Sequence, residues 1–298
     1  LCPGDGGNMG SETVDASETG NGMKRILAPT LTYMTLTTAA LLFLAPVAIM
    51  TAGSFKPDDR VLVEAGTTAA FIPTDASLKN YADVFARTDF LRFLFNSLFI
   101  NGTIVVCGLI VNSMAAYAFA RLRWRGRELC FNLVLALMIL PFEAIAVPLF
   151  YGVSILGLRD TYTAQILPFI ANAFSIVLFY TFFIDLPREL EEAARLDGAG
   201  TLHIFFGIIA PNAGPAFAAA AILSFLIWWG SYLWPMMITI GPRVRPLPVA
   251  IAAFHTLPPP AWGDILAFGV MMAAPVIAIF LIFQRGFVRG VAASAIKG

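Results

Sequence analysis

DLPRELEEAARLDGAGTLHIFFGIIAP, residues 185–211, is the stretch that organises the reading of this chain. Pro187 suits the first turn of a helix, where its missing amide costs nothing. Glu189, Glu191 and Glu192 lie near the start of that helix and complement its dipole. Gly198 and Gly200 suit its end. Leu190, Ala193, Ala194 and Asp197 recur at helical spacing, so one face is small and partly apolar. Thr201 is an N-cap candidate for a second short helix carrying Leu202, Ile204, Phe205, Phe206, Ile208 and Ile209 up to Pro211. The expectation is two short helices with a glycine bend between them, acidic on one side and aromatic on the other. Small alanines permit close approach of a partner, and two phenylalanines can anchor in its pocket. The alternative is an amphipathic hairpin lying on a membrane surface. Such a helix is usually basic, whereas this one is acidic, which favours a protein partner.

On both sides of this stretch the chain is strongly apolar. Of its 298 residues, 58% are hydrophobic and 13% charged, and the mean hydropathy is +0.78. A soluble domain carries about 25% charged residues, so this composition could not cover a water-facing surface. It implies an all-α integral membrane protein. Formal net charge is zero, which argues against a polyanion-binding protein and against nucleic acid as a partner. A bilayer span needs about 20 mostly apolar residues. Windows poor in Asp, Glu, Lys and Arg place six spans, near 27–52, 95–119, 130–153, 163–184, 213–240 and 264–284. The run 198–242 is too long for one helix, and Pro211 and Pro215 divide it.

Basic residues orient the spans. Arg121, Arg123, Arg125 and Arg127 lie between spans two and three, which makes that loop cytoplasmic. Six spans then place both termini in the cytoplasm. Lys24 and Arg25 before span one, and Arg285, Arg289 and Lys297 after span six, agree. The stretch 185–211 falls inside by the same count, and the long segment 53–94 falls outside. Residues 1–22 are polar and without periodicity, the composition of a disordered tail. The chain as written begins with Leu1, and Met9 and Met23 are candidate starts.

Ionisable groups within spans are the first candidates for function. Glu143, between Pro141 and Pro148, is one: either it lines a pore or it reaches water at the outer interface. A proton-driven transporter usually buries several such groups, so the energy source is expected elsewhere. His203 and His255 fall on opposite sides of the membrane and cannot share a metal. The three cysteines have no ligand or disulfide spacing. Neither a phosphate loop nor a nucleophile triad is present, so this chain does not hydrolyse nucleotides. Trp228, Trp229, Ser231, Tyr232 and Trp234 cluster at the exit of span five. They read as an interfacial aromatic belt or as a stacking surface for a sugar.

The stretch 185–211 resembles the signature of permease subunits of binding-protein-dependent ABC importers. That signature is Glu-Ala-Ala, three residues, Gly, nine residues, then Ile-x-Leu-Pro. Here Glu192-Ala193-Ala194, Gly198, Ile208 and Pro211 stand at that spacing, with Ala210 where Leu is usual. SLKNYADVF (77–85), Asn96-Ser97, AAYAFARLRWRGRE (115–128), WWGSYLWPMMIT (228–239), LPVAI (247–251) and FQRGFVRGVAASAIKG (283–298) are similar to the maltose-type (MalG-like) sugar permeases. Many of those have Trp-Asn where this chain has Trp229-Gly230.

The resemblance implies a type I importer permease fold. It implies a cytoplasmic tail over 1–25, a first span and external loop over 26–91, a permease domain over 92–284 and a second cytoplasmic tail over 285–298. It implies a bacterial plasma (inner) membrane location and a second permease subunit as partner. It further implies two cytoplasmic ATPase subunits that carry ATP and Mg²⁺, none bound by this chain, and an external solute-binding protein. Glu192, Ala193, Ala194, Asp197, Gly198, Ile208 and Pro211 would form the ATPase-coupling element. The tail with Gly290, Lys297 and Gly298 would also reach the ATPases. Glu143, Trp229 and Tyr232 are candidates for the substrate path. The solute would be a sugar. A glycerol phosphodiester or polyamine is the alternative, although the spans carry no Lys or Arg to meet a phosphate. A stand-alone secondary transporter would require an internal repeat, which the chain lacks.

Overall fold

The computed structural model describes the backbone of residues 16–295 apart from 259, and the side chains of residues 30–282 apart from 259. The elements among these residues are all helical: α1 (Ala16–Ser54), α2 (Asp58–Glu64), α3 (Lys79–Arg87), α4 (Phe90–Arg121), α5 (Arg127–Leu137), α6 (Phe142–Ile155), α7 (Tyr162–Ile170), α8 (Ala173–Ile184), α9 (Glu189–Leu196), α10 (Thr201–Ile204), α11 (Ala210–Asn212), α12 (Gly214–Trp229), α13 (Leu233–Ile238), α14 (Leu247–His255) and α15 (Trp262–Ala295). A 3-10 turn covers Thr68–Phe71, and a π turn covers Phe205–Ile209.

Four stretches are long and apolar enough to cross a membrane: Thr30–Ser54, Phe90–Arg121, Tyr162–Ile184 and Trp262–Ile282. The count reaches the expected six only when two bent pairs are each taken as one span. Span three, expected as one helix over 130–153, is instead α5 and α6 meeting at 103°. Pro141 causes the break, because a proline disfavours helix at the residue before it. Span five, expected over 213–240, ends as a helix at Trp229. Residues 230–232 form a turn, and α13 starts anew at Leu233. Span four keeps its length but is interrupted between α7 and α8 at Ala171 and Asn172.

Helix α4 is the axis of the bundle. It packs against α7, α8, α12 and α14, while α15 packs against α1, α3 and α12. Its buried face is unusual for a span: Asn96, Ser97, Asn101, Asn112 and Ser113 lie among its apolar residues. Asn112 meets backbone that a break sets free, while Asn96 and Asn101 meet carbonyls of the loop before α14 and of α12. Asn112 Nδ2 donates to Ile170 O at 3.0 Å, and its Oδ1 accepts from Asn172 N at 2.9 Å. That one amide closes both sides of the α7–α8 interruption. Gly108, one turn away, admits the approach, since a Cβ there would lie 3.2 Å from Ile170 O. Asn96 Nδ2 donates to Arg243 O and Arg245 O, and Tyr162 Oη donates to Asn96 Oδ1 at 2.6 Å. Ser97 Oγ accepts from Leu247 N at 2.8 Å at the head of α14. In hydrocarbon no water can satisfy such groups, so side chains must.

The segment 53–94 is a fitted cap. Lys56, 2% exposed, donates to Glu64 Oε2 at 2.8 Å and to Ala69 O at 2.7 Å. Asn80 Nδ2 donates to Ser54 O and Lys56 O, and Tyr81 Oη pairs with Ser54 Oγ. Arg87 bonds Asp264 at 2.6 Å, and Gly263 N donates to Asp58 Oδ1 at 2.9 Å. Gly263 must be glycine here, because a Cβ would fall 2.5 Å from Asn80 Nδ2.

Candidate functional site

The stretch 185–211 begins as helix α9, whose first residue is Glu189 rather than Pro187. It ends in a Schellman motif. Gly198 adopts φ +79°, Ala199 N donates to Ala194 O at 2.9 Å, and Gly198 N donates to Arg195 O at 3.0 Å. A Cβ on Gly198 would touch nothing. Only the left-handed backbone requires glycine at this position. Gly200, rather than Thr201, occupies the N-cap of α10, and no side chain caps it. The π turn and α11 then lead through Pro211 into an 80° bend with α12.

The faces of α9 differ from the expected ones. Glu191 and Ala194 are buried, while Leu190, Glu192, Ala193, Leu196 and Asp197 are exposed. Helical spacing had placed Ala194 on a face with Leu190, Ala193 and Asp197, but the rest of that face is open. Leu196 is 89% exposed, Leu202 62% and Phe206 55%. Leu196 escaped the sequence analysis because nothing in helical spacing distinguishes an apolar residue that faces the core from one that faces outward. Phe205 is not an outward anchor: it is 2% exposed and packs on Tyr117, Phe183 and Phe206. Ile208 is half-buried against the same cluster, and Pro211 is exposed at the bend.

Behind α9 lies a charged joint that sequence reasoning missed. Arg121, read from the sequence as one of four loop cations, has its side chain only 3% exposed. Its guanidinium donates to Phe183 O and Leu186 O, carbonyls at the end of α8. Its Nε lies 3.3 Å from Glu191 Oε1. Tyr117 Oη donates to Glu191 Oε2 at 3.5 Å, and Arg195 stands 3.8 Å from the same oxygen. Cations favour helix C-termini, so one arginine ties the ends of α4 and α8 to the base of α9. The available signal was its position as the last residue of span two, beside Tyr117.

The candidates for the substrate path separate. Glu143 is exposed in the first turn of α6. Tyr232 is 41% exposed. Trp229 and Trp234 are buried, against the reading of an interfacial belt. Trp229 Nε1 donates to Met272 O at 3.1 Å, and Trp234 Nε1 donates to Ala164 O at 2.9 Å. Trp228 packs on Phe169 with ring centres 4.3 Å apart. Trp228, Trp229 and Trp234 wall a cavity of about 20 Å³ together with Asn101 and Gln165, and no charged side chain lines it. Gly290 lies on the helical backbone of α15, while Lys297 and Gly298 lie outside the described residues.

A family model described as "Binding-protein-dependent transport system inner membrane component" matches residues 104–293. The chain is 36% identical over 280 residues to the arabinooligosaccharides transport system permease protein AraQ of Halalkalibacterium halodurans, covering 93% of this chain and 100% of that one. It is 30% identical over 275 residues to the lactose transport system permease protein LacG of Rhizobium radiobacter, covering 91% and 98%. A crystal structure of a bacterial ABC transporter involved in the import of the acidic polysaccharide alginate aligns with TM-score 0.77 at 27% identity, over 88% of this chain and 96% of its counterpart. The chain belongs to the family of binding-protein-dependent transport system inner membrane components, and its fold is that of a type I ABC importer permease.

Proposed function

We propose that this chain is one of two permease subunits of an ATP-driven importer for a neutral saccharide, seated in a bacterial inner membrane with both termini in the cytoplasm. The carrying observation is the two-faced helix α9. Glu191 and Ala194 lock it to the core, while Glu192, Ala193, Leu196 and Asp197 are left open to receive a partner. A rigid helix held from behind by Arg121 passes the closing motion of an ATPase dimer to α8 and, through the 80° bend, to α12. This is a two-state element biased by nucleotide. ATP and Mg²⁺ belong to the two ATPase subunits, and an external binding protein delivers the solute. Relatives named for arabinooligosaccharides and lactose support a saccharide. The alginate system takes an acidic polysaccharide, so the fold alone does not decide substrate charge. The uncharged cavity favours a neutral solute over a glycerol phosphodiester or a polyamine.

The test is purification of the tagged chain from its host in mild detergent, with mass spectrometry of what accompanies it. Recovery of a second polytopic permease and an ATPase is the expected result. Recovery of the chain alone, stable and monodisperse, overturns the reading and returns attention to a stand-alone transporter and Glu143.

A further inference from the structure

The cavity between α4, α7, α12 and α13 has an unbalanced wall. Asn101 Nδ2 donates to Phe225 O at 3.1 Å, and Gln165 Nε2 donates to Val244 O at 2.7 Å. Backbone carbonyls can only accept, so each amide must turn its nitrogen towards them. The carbonyl oxygens, Asn101 Oδ1 and Gln165 Oε1, are therefore the ends left over, and both are buried without a partner. Each residue is 2% exposed. The Trp229 and Trp234 N–H groups in the same wall are spent on Met272 O and Ala164 O. A buried acceptor without a donor is disfavoured. The space is about 20 Å³, enough for about one water-sized group. No cation fits the logic, since no carboxylate lines the space.

We propose that this cavity is a binding site for hydroxyl donors, built to accept O–H hydrogen bonds at Asn101 Oδ1 and Gln165 Oε1. Water and a hydroxyl of the transported solute share that chemistry. The space admits a single hydroxyl of a solute, not its ring. The solute source rests on the saccharide reading above, whereas the water source does not. On the solute source, these two amides belong to the path through the membrane. On the water source, they hold an ordered water that joins α4 to α7.

The experiment is a pair of cryo-EM maps of the complete importer without nucleotide, one without sugar and one with arabinotriose. Water-sized density within hydrogen-bond distance of either oxygen in both maps is the water source and supports the site. Density continuous with a sugar in the second map is the solute source and also supports it. Amides rotated onto protein donors, or no density beside either oxygen, overturns the proposal. A Gln165→Met importer should lose the density beside position 165 and keep that beside Asn101, and Gln165→His should restore it. Arabinotriose uptake by the Gln165→Met importer should fall about tenfold on the solute source, the loss of one hydrogen bond, and stay within about twofold on the water source. Absence of arabinotriose binding anywhere in the importer removes that sugar as the solute and leaves the hydroxyl site to be decided by the sugar-free map.

Discussion

The joint at Arg121 and the amide seam along α4 perform the same task with different chemistry. Both satisfy backbone groups where helices end. At the C-terminal end of α4, a guanidinium holds Phe183 O and Leu186 O and is balanced by Glu191. Deeper in, the neutral amide of Asn112 holds Ile170 O and Asn172 N. Burying an ion pair costs several kcal/mol per ion before the attraction returns any of it. An amide offers one donor and one acceptor side without that desolvation. Charge is therefore used at the end of the long apolar helix α4, and amides are used along its length.

The largest effect is expected at the joint. Arg121→Ala should destabilise the importer by about 3–5 kcal/mol, because it leaves Glu191 buried with only the exposed Arg195 to balance it. Arg121→Met combined with Glu191→Leu should be milder than Arg121→Ala alone, as read by thermal melting in detergent. A double variant that melts lower than the single one would show that the joint does not act as a pair. Asn112→Leu comes next, at about 2–4 kcal/mol, from two orphaned backbone groups. If it melts like the parent, the amide seam is not what holds the α7–α8 break.

A third change separates coupling from folding. Gly198→Ala imposes about 1–2 kcal/mol of backbone strain at a left-handed position, although the site has room for the methyl. It should leave membrane insertion intact while uncoupling ATP hydrolysis from uptake; unchanged uptake per ATP in proteoliposomes would contradict that. Glu192→Lys, on the open face, should move stability by no more than about 0.5 kcal/mol and lower the yield of co-purified ATPase. An unchanged yield would remove Glu192 from the docking surface.

The cap offers the mildest test. The Lys56 ammonium bonded to Glu64 holds that carboxyl below 4.5, its ordinary value, and Thr74 assists against the opposing effect of burial. A depressed carboxyl stabilises the fold above its unfolded pKa and loses that contribution as pH falls through its folded pKa. Melting measured from neutral pH into the acid range should therefore drop below about pH 4–5. Lys56→Met should flatten that drop, and an identical acid profile would exclude the pair as its source.

Much of this molecule follows from local sequence. Apolar runs of sufficient length determine that it lives in a bilayer, since transfer of such a segment depends on its own residues. The Glu192 to Pro211 spacing determines the short helices α9 and α10 and the bend between them, because helix starts and glycine bends are local chemistry. Asn80, Tyr81, Asn96 and Ser97 were legible as family residues, though not as the groups that fasten the cap and the loop before α14. Tertiary structure alone decided which way each helix faces. Arg121 was indistinguishable in sequence from its neighbours in the basic loop, yet it is the one turned inward onto α8 and α9. Trp229 and Trp234 had the composition of an interface but packed into the interior. The break at Ala171 to Asn172 became tolerable only because Asn112, from a distant part of the chain, meets it. A free carbonyl or amide in hydrocarbon has no water to turn to. Its partner must come from another helix, and no reading of one segment can name it.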